Sequence, residues 1–135
     1  MQWPVRPAEL LQDFDAPAQV WLPGHRGVDV DADSGMLIFA PQGGTIVFSG
    51  RVAHKDVVVI EHAHGWRSTF EPAITTLSVG TKVQRGQSIA QISDGGSDHC
   101  QDACLHWGVK IDKKRYLNPR LLTEVRPITI LPLLE

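Results

Sequence analysis

Cys104-Leu105-His106-Trp107-Gly108-Val109-Lys110-Ile111 is the stretch on which the fold turns. Its residues alternate, so an extended chain puts Leu105 and Trp107 on one face and Cys104 and His106 on the other. This is the pattern of a half-buried strand. Working outward, further runs rich in β-branched or aromatic residues and bounded by turn formers cover Gly44 to Ser49, Asp56 to Glu61, Trp66 to Phe70 and Ser88 to Ile92. Helical periodicity is hard to find among the scattered Pro and Gly residues. The sequence predicts an all-β fold, a compact antiparallel sandwich or barrel built from short strands. Two segments, Pro41 to Val47 and Val79 to Gln87, each couple a Gly turn to a strand entry and echo one another, too weakly to establish a repeat. Tyr116-Leu117-Asn118-Pro119 reads as a turn before a short closing segment.

With 135 residues, the chain is long enough for one core and too short for two ordinary domains. Lys and Arg number 13 against 15 Asp and Glu, a formal charge of −2 with no block of like charge, which excludes nucleic acid as an expected partner. No apolar run approaches the roughly 18 to 20 residues that cross a bilayer. Met1 to Leu11 lacks the basic and apolar regions of a secretion signal. The reading divides the chain into an N-terminal lead-in over 1–20, a domain over 21–122 and a tail over 123–135, whose last two residues read equally as a cloning remnant. A monomer is expected.

Six histidines, at positions 25, 54, 62, 64, 99 and 106, are the first candidates for chemistry. In Gly24-His25-Arg26-Gly27-Val28-Asp29, an extended end places positions 25, 27 and 29 on one face, where Gly27 leaves space between imidazole and carboxylate. Zinc accepts such a nitrogen and oxygen pair, and the missing side chain at Gly27 would let a substrate backbone come close. The plainer alternative is a loop salt bridge through Arg26. His106 can complete three ligands, leaving a fourth position open for water. Its plainer alternative is a hydrogen bond within a half-buried sheet. Trp21, Trp66 and Trp107 fit either groove walls or core. Cys100 and Cys104, three residues apart, admit a disulfide loop, a pair of thiolate ligands or two buried small residues.

Four ordered motifs carry a family resemblance: Gly24-His25-Arg26-Gly27-Val28-Asp29, Gly43-Gly44-Thr45-Ile46-Val47, Val79 to Gln87, and Leu105-His106-Trp107-Gly108-Val109. Over Trp21 to Leu122 the chain resembles the lysostaphin-type (LytM-like) peptidoglycan zinc metallopeptidases. The resemblance implies a compact antiparallel β-structure with a groove across one sheet. It further implies one zinc ion on His25, Asp29 and His106, and a substrate or partner among peptidoglycan peptides and cell-wall hydrolases. It also implies an extracytoplasmic location, in which the disulfide becomes the favoured reading of Cys100 and Cys104; the signal that export requires is then missing from this sequence.

Two positions depart from the family pattern. Where relatives carry His-x-His, the first position here is Cys104; where they carry Tyr-x-His, this chain has Phe70-Glu71-Pro72. The two histidines that assist catalysis in active relatives are thereby replaced, and each such donor or base is worth about 10² to 10⁴ in rate. The expectation is a degenerate peptidase that binds peptidoglycan or regulates its hydrolysis. The rival is a working endopeptidase in which His99, Glu71 or another residue has taken over the base. Glu71 is disfavoured on strand alternation, because it points away from the face shared by Phe70 and Pro72. His62 matches a non-ligand histidine of relatives, His64 lies near the strand leading to Phe70, and His54 carries no signal.

Overall fold

The computed structural model describes residues 1–6, 8, 10–12, 27–94, 104–112 and 115–124. Its strands are β1 (Leu10–Gln12), β2 (Val28–Asp31), β3 (Leu37–Phe39), β4 (Gly44–Val52), β5 (Lys55–Glu61), β6 (Arg67–Glu71), β7 (Ala73–Ile74), β8 (Lys82–Val83), β9 (Ser88–Ile92), β10 (Cys104–Lys110) and β11 (Tyr116–Leu117). One short helix, α1 (Pro119–Glu124), follows. Among the described residues the larger sheet runs in the order β1-β2-β10-β6-β5-β4-β8, with β11 paired to β10, and a three-stranded sheet runs β3-β9-β7. Every pairing is antiparallel. The five predicted strands all form, with ends shifted by a few residues. The two echoing segments pair with each other, since Gly44 stands opposite Val83 and Thr45 opposite Lys82.

Alternation decides which face of the large sheet is core. Val28 and Val30 on β2, Leu105, Trp107 and Val109 on β10, Phe70 on β6, and Val58 and Ile60 on β5 are all fully buried. They form one cluster with Ile38, Ile89 and Ile92 of the smaller sheet. Trp107 is the largest of these side chains, and Trp3 meets its ring edge-on at 5.9 Å between centroids. Trp107 is therefore core and not a groove wall, contrary to one of the two readings of the sequence. Its removal would cost about 3 to 5 kcal/mol. Trp66 packs half-buried against the same cluster, and Trp21 lies outside the described residues.

The start of the chain is part of this packed unit. Val5 is fully buried, and backbone bonds run from Gln2 N–H to Pro41 C=O and from Phe39 N–H to Pro4 C=O. The closing segment is helical because Asn118 caps it: its side-chain oxygen accepts the Arg120 N–H at 3.0 Å, and Pro119 occupies the first helical position, where its missing N–H costs nothing.

Candidate metal centre and its sheet face

If the odd residues of β10 face the core, the even ones face the other way. On that second face, His106 stands opposite Asp29 of β2 on one side and opposite Glu71 of β6 on the other. Asp29, His106 and Glu71 thus make one row across three strands. The next row along the strands holds Gly108 and Thr69, with Val59 of β5 opposite Thr69. The one after it holds Lys110, Arg67 and Glu61.

His106 Nδ1 lies 2.8 Å from Asp29 Oδ1, with side-chain exposures of 13% and 1%. A carboxylate oxygen accepts, so Nδ1 is the donor in this hydrogen bond. Gly27 makes the imidazole's position possible. A Cβ there would meet the Trp107 carbonyl oxygen at 2.5 Å and the His106 ring at 2.8 Å. The space that the sequence suggested for a substrate backbone is taken by the imidazole itself.

This donor set fits zinc. A carboxylate oxygen and an imidazole nitrogen are the ligand types that zinc accepts, and both lie in a buried contact aimed at each other. Replacing the Nδ1 proton with a metal would require no new donor from the chain at these two positions. Asp29 and His106 would hold the ion, which when bound lowers the pKa of a coordinated water and polarises a carbonyl. Among the described residues no three His, Cys, Asp or Glu side chains group closely enough to hold a metal alone. His25, the third ligand implied by the resemblance, lies outside the described residues, as does His99.

The two altered positions flank this row. Cys104 is buried at 2% exposure, two residues before His106, and is disulfide-bonded, so it offers no thiol as an acid or base. Cys100, the only other cysteine of the sequence, lies outside the described residues. Pro72 is buried, and its carbonyl accepts the Ser93 N–H.

Glu71 needs a correction. Alternation does carry it away from Phe70, but Phe70 faces the core, so Glu71 points to the face that carries His106. Residues directly opposite on antiparallel strands have Cβ atoms about 4.5 to 5.5 Å apart. The remaining described histidines are elsewhere. His62 is buried with Nδ1 2.9 Å from the Gly43 carbonyl and Nε2 2.7 Å from Ser68 Oγ. A carbonyl only accepts, so Nδ1 carries the proton and Nε2 accepts from the serine hydroxyl. Burial lowers its pKa, partly opposed by the bond to Gly43. His54 and His64 are exposed in turns at φ of 69° and 65°.

The larger antiparallel sheet thus carries a buried Asp29–His106 pair on the face opposite its core. The chain belongs to Peptidase family M23, which matches residues 23–119. An uncharacterized protein of Mycobacterium tuberculosis is 35% identical over 97% of this chain and 54% of its own length. The Lipoprotein NlpD/LppB homolog of Pseudomonas aeruginosa is 29% identical over 71% of this chain and 34% of its own. The catalytic domain of lysostaphin from Staphylococcus simulans superposes with a TM-score of 0.72 at 17% identity, over 87% of this chain and 93% of that domain. The chain therefore spans about half the length of its mycobacterial relative and a third of the lipoprotein.

Proposed function

We propose that this chain is a cell-envelope M23 domain that holds one zinc ion through His25, Asp29 and His106 and engages peptidoglycan peptides or a wall hydrolase. In this reading it works as a binding or regulatory module with peptidase activity weakened or lost. The observation that carries the reading is the pairing of an intact, buried Asp29–His106 contact with a neighbouring Cys104 that has no free thiol. Amide cleavage needs a proton delivered to the departing nitrogen, and neither Cys104 in a disulfide nor Pro72 supplies one. Cys100 is the proposed disulfide partner, which an oxidising compartment would maintain. The extracytoplasmic location is supported by a relative named as a lipoprotein. No helix among the described residues is long and apolar enough to cross a membrane.

A second reading, a working zinc endopeptidase, is favoured by one observation: Glu71 stands opposite His106 on the same face. A carboxylate there is placed to act on a water or a leaving amine beside the metal pair. One experiment separates the two. Zinc content is measured on the purified protein, and digestion of purified peptidoglycan is followed for wild type, His106→Ala and Glu71→Gln. The module reading expects one zinc per chain, lost in His106→Ala, and negligible digestion throughout. Robust digestion that Glu71→Gln abolishes while zinc stays bound establishes the endopeptidase instead. A wild-type protein that takes up no zinc at neutral pH refutes both.

A further inference from the structure

The third row on the site face ends in a cavity. Glu61, Gly65, Arg67, Lys110 and Asp112 line a depression of about 310 Å³. Four residues of strand separate Lys110 from His106, or roughly 13 Å at 3.3 to 3.4 Å per residue. An extended peptide of about four residues covers that distance.

The charges in this cavity are of both signs and are unequally used. Arg67 Nε and Nη2 both donate to one oxygen of Glu61, at 3.2 and 3.1 Å, which holds the guanidinium against the cavity wall. Asp112 is engaged by Arg115, with Nε 2.6 Å from its carboxylate. Lys110 is different. Its ammonium lies over the Tyr116 ring, 5.6 Å from the centroid, and no carboxylate among the described residues forms an ion pair with it. The middle row between this cavity and the metal pair carries only Gly108, Thr69 and Val59, so no long or charged side chain of that row divides the two ends of the face.

Resting on the reading that the domain engages wall peptides, we infer that this cavity is a subsite for a peptide side chain ending in an amino-acid head, with carboxylate and ammonium on one carbon. The carboxylate meets Lys110 and the outer edge of Arg67. The ammonium meets Glu61 or Asp112. The subsite selects a diaminopimelate residue over lysine, which presents the ammonium without the carboxylate.

Isothermal titration of the protein with L-Ala-γ-D-Glu-meso-diaminopimelate and with L-Ala-γ-D-Glu-L-Lys tests this, in zinc-loaded and EDTA-treated samples. At a solvent-open site a single added ion pair is worth up to about fivefold in affinity, so a preference of roughly fivefold for the diaminopimelate peptide is expected. Lys110→Met should remove the preference and leave the lysine peptide's affinity unchanged. A preference that vanishes in EDTA would mean that the carboxylate reads the metal, and overturns the inference. So does equal binding of both peptides by wild type, or a preference that survives Lys110→Met; either leaves wall-peptide binding intact. Binding of neither peptide overturns the inference and the peptide-binding reading together.

Discussion

Gly27→Ala is the sharpest test of how the metal pair is assembled. Carbon and oxygen atoms in ordinary contact sit roughly 3.5 Å apart. The added methyl would lie 2.5 Å from the Trp107 carbonyl oxygen and 2.8 Å from the His106 ring. The shortfalls are about 1 Å and about 0.7 Å. The carbonyl belongs to β10, whose Trp107 is opposite Val28 in the ladder, so it yields only by disturbing that pairing. The imidazole yields more easily, and its movement breaks the 2.8 Å contact with Asp29. Overpacking of this kind costs about 1 to 3 kcal/mol. For a domain of this size that corresponds to a fall in Tm of roughly 4 to 10 °C. Thermal unfolding followed by circular dichroism reads the stability, and competition with a chromophoric chelator reads zinc affinity, which should fall by about tenfold or more as for other displaced ligand supports. Gly43→Ala is the control, because its Cβ would stand 3.4 Å from the Val83 oxygen. If Gly27→Ala matches that control within about a degree and binds zinc like wild type, Gly27 is not what positions His106, and the reasoning fails.

Three further outcomes follow from the packing. His62 is buried neutral with its pKa lowered by burial, so its contribution is fully present above the unfolded value of about 6.5 and is lost as pH falls toward the folded value. Urea unfolding from pH 7.5 to 5.5 should show stability falling with pH more steeply in wild type than in His62→Gln; identical slopes would remove His62 as the cause. The β4–β5 hairpin turns through Ala53 and His54, both at positive φ, and replacing them with Asn and Gly should raise stability by about 1 kcal/mol, measured as a higher Tm. Trp107 Nε1 is buried without a hydrogen-bond partner among the described residues, so Trp107→Phe should cost markedly less than the roughly 3 to 5 kcal/mol of Trp107→Ala; equal losses in denaturant titrations would contradict this.

The strands were legible because alternation over five to seven residues is a local signal that burial on one face imposes directly. Asp29 and His106 were legible as ligand types and as a resemblance. Their meeting was implied by the resemblance alone, since β2 and β10 are 77 residues apart at this pair and no local rule fixes which strands neighbour one another. Glu71 shows the limit clearly. Its parity relative to Phe70 was read correctly, but parity assigns a face only once some residue is known to be core, and the burial of Phe70 supplies that reference. The Lys110–Arg67–Glu61 row is a product of cross-strand register, to which a single strand is blind. Asn118-Pro119 did carry a capping signal for α1, but a six-residue helix is too short for periodicity to reveal. His62 in sequence is one of six histidines, and only the approach of Gly43 and Ser68 distinguishes it.

The register ties the site's geometry to stability. A slip of one residue in β10 would carry Leu105, Trp107 and Val109 out of the core and His106 into it, so burial of those three large side chains holds His106 against Asp29. Neither altered family position belongs to that lock: Cys104 opens β10 and Pro72 falls between β6 and β7. The burial of β10 therefore holds the Asp29–His106 contact independently of what stands at Cys104 and Pro72. Among the described residues, Glu71 also stands on this face, placed opposite His106 by the same register. Glu71→Gln therefore tests whether that side chain contributes to cleavage in the proposed zinc-bound domain, since it changes the chemistry opposite His106 while leaving the strand that carries it intact.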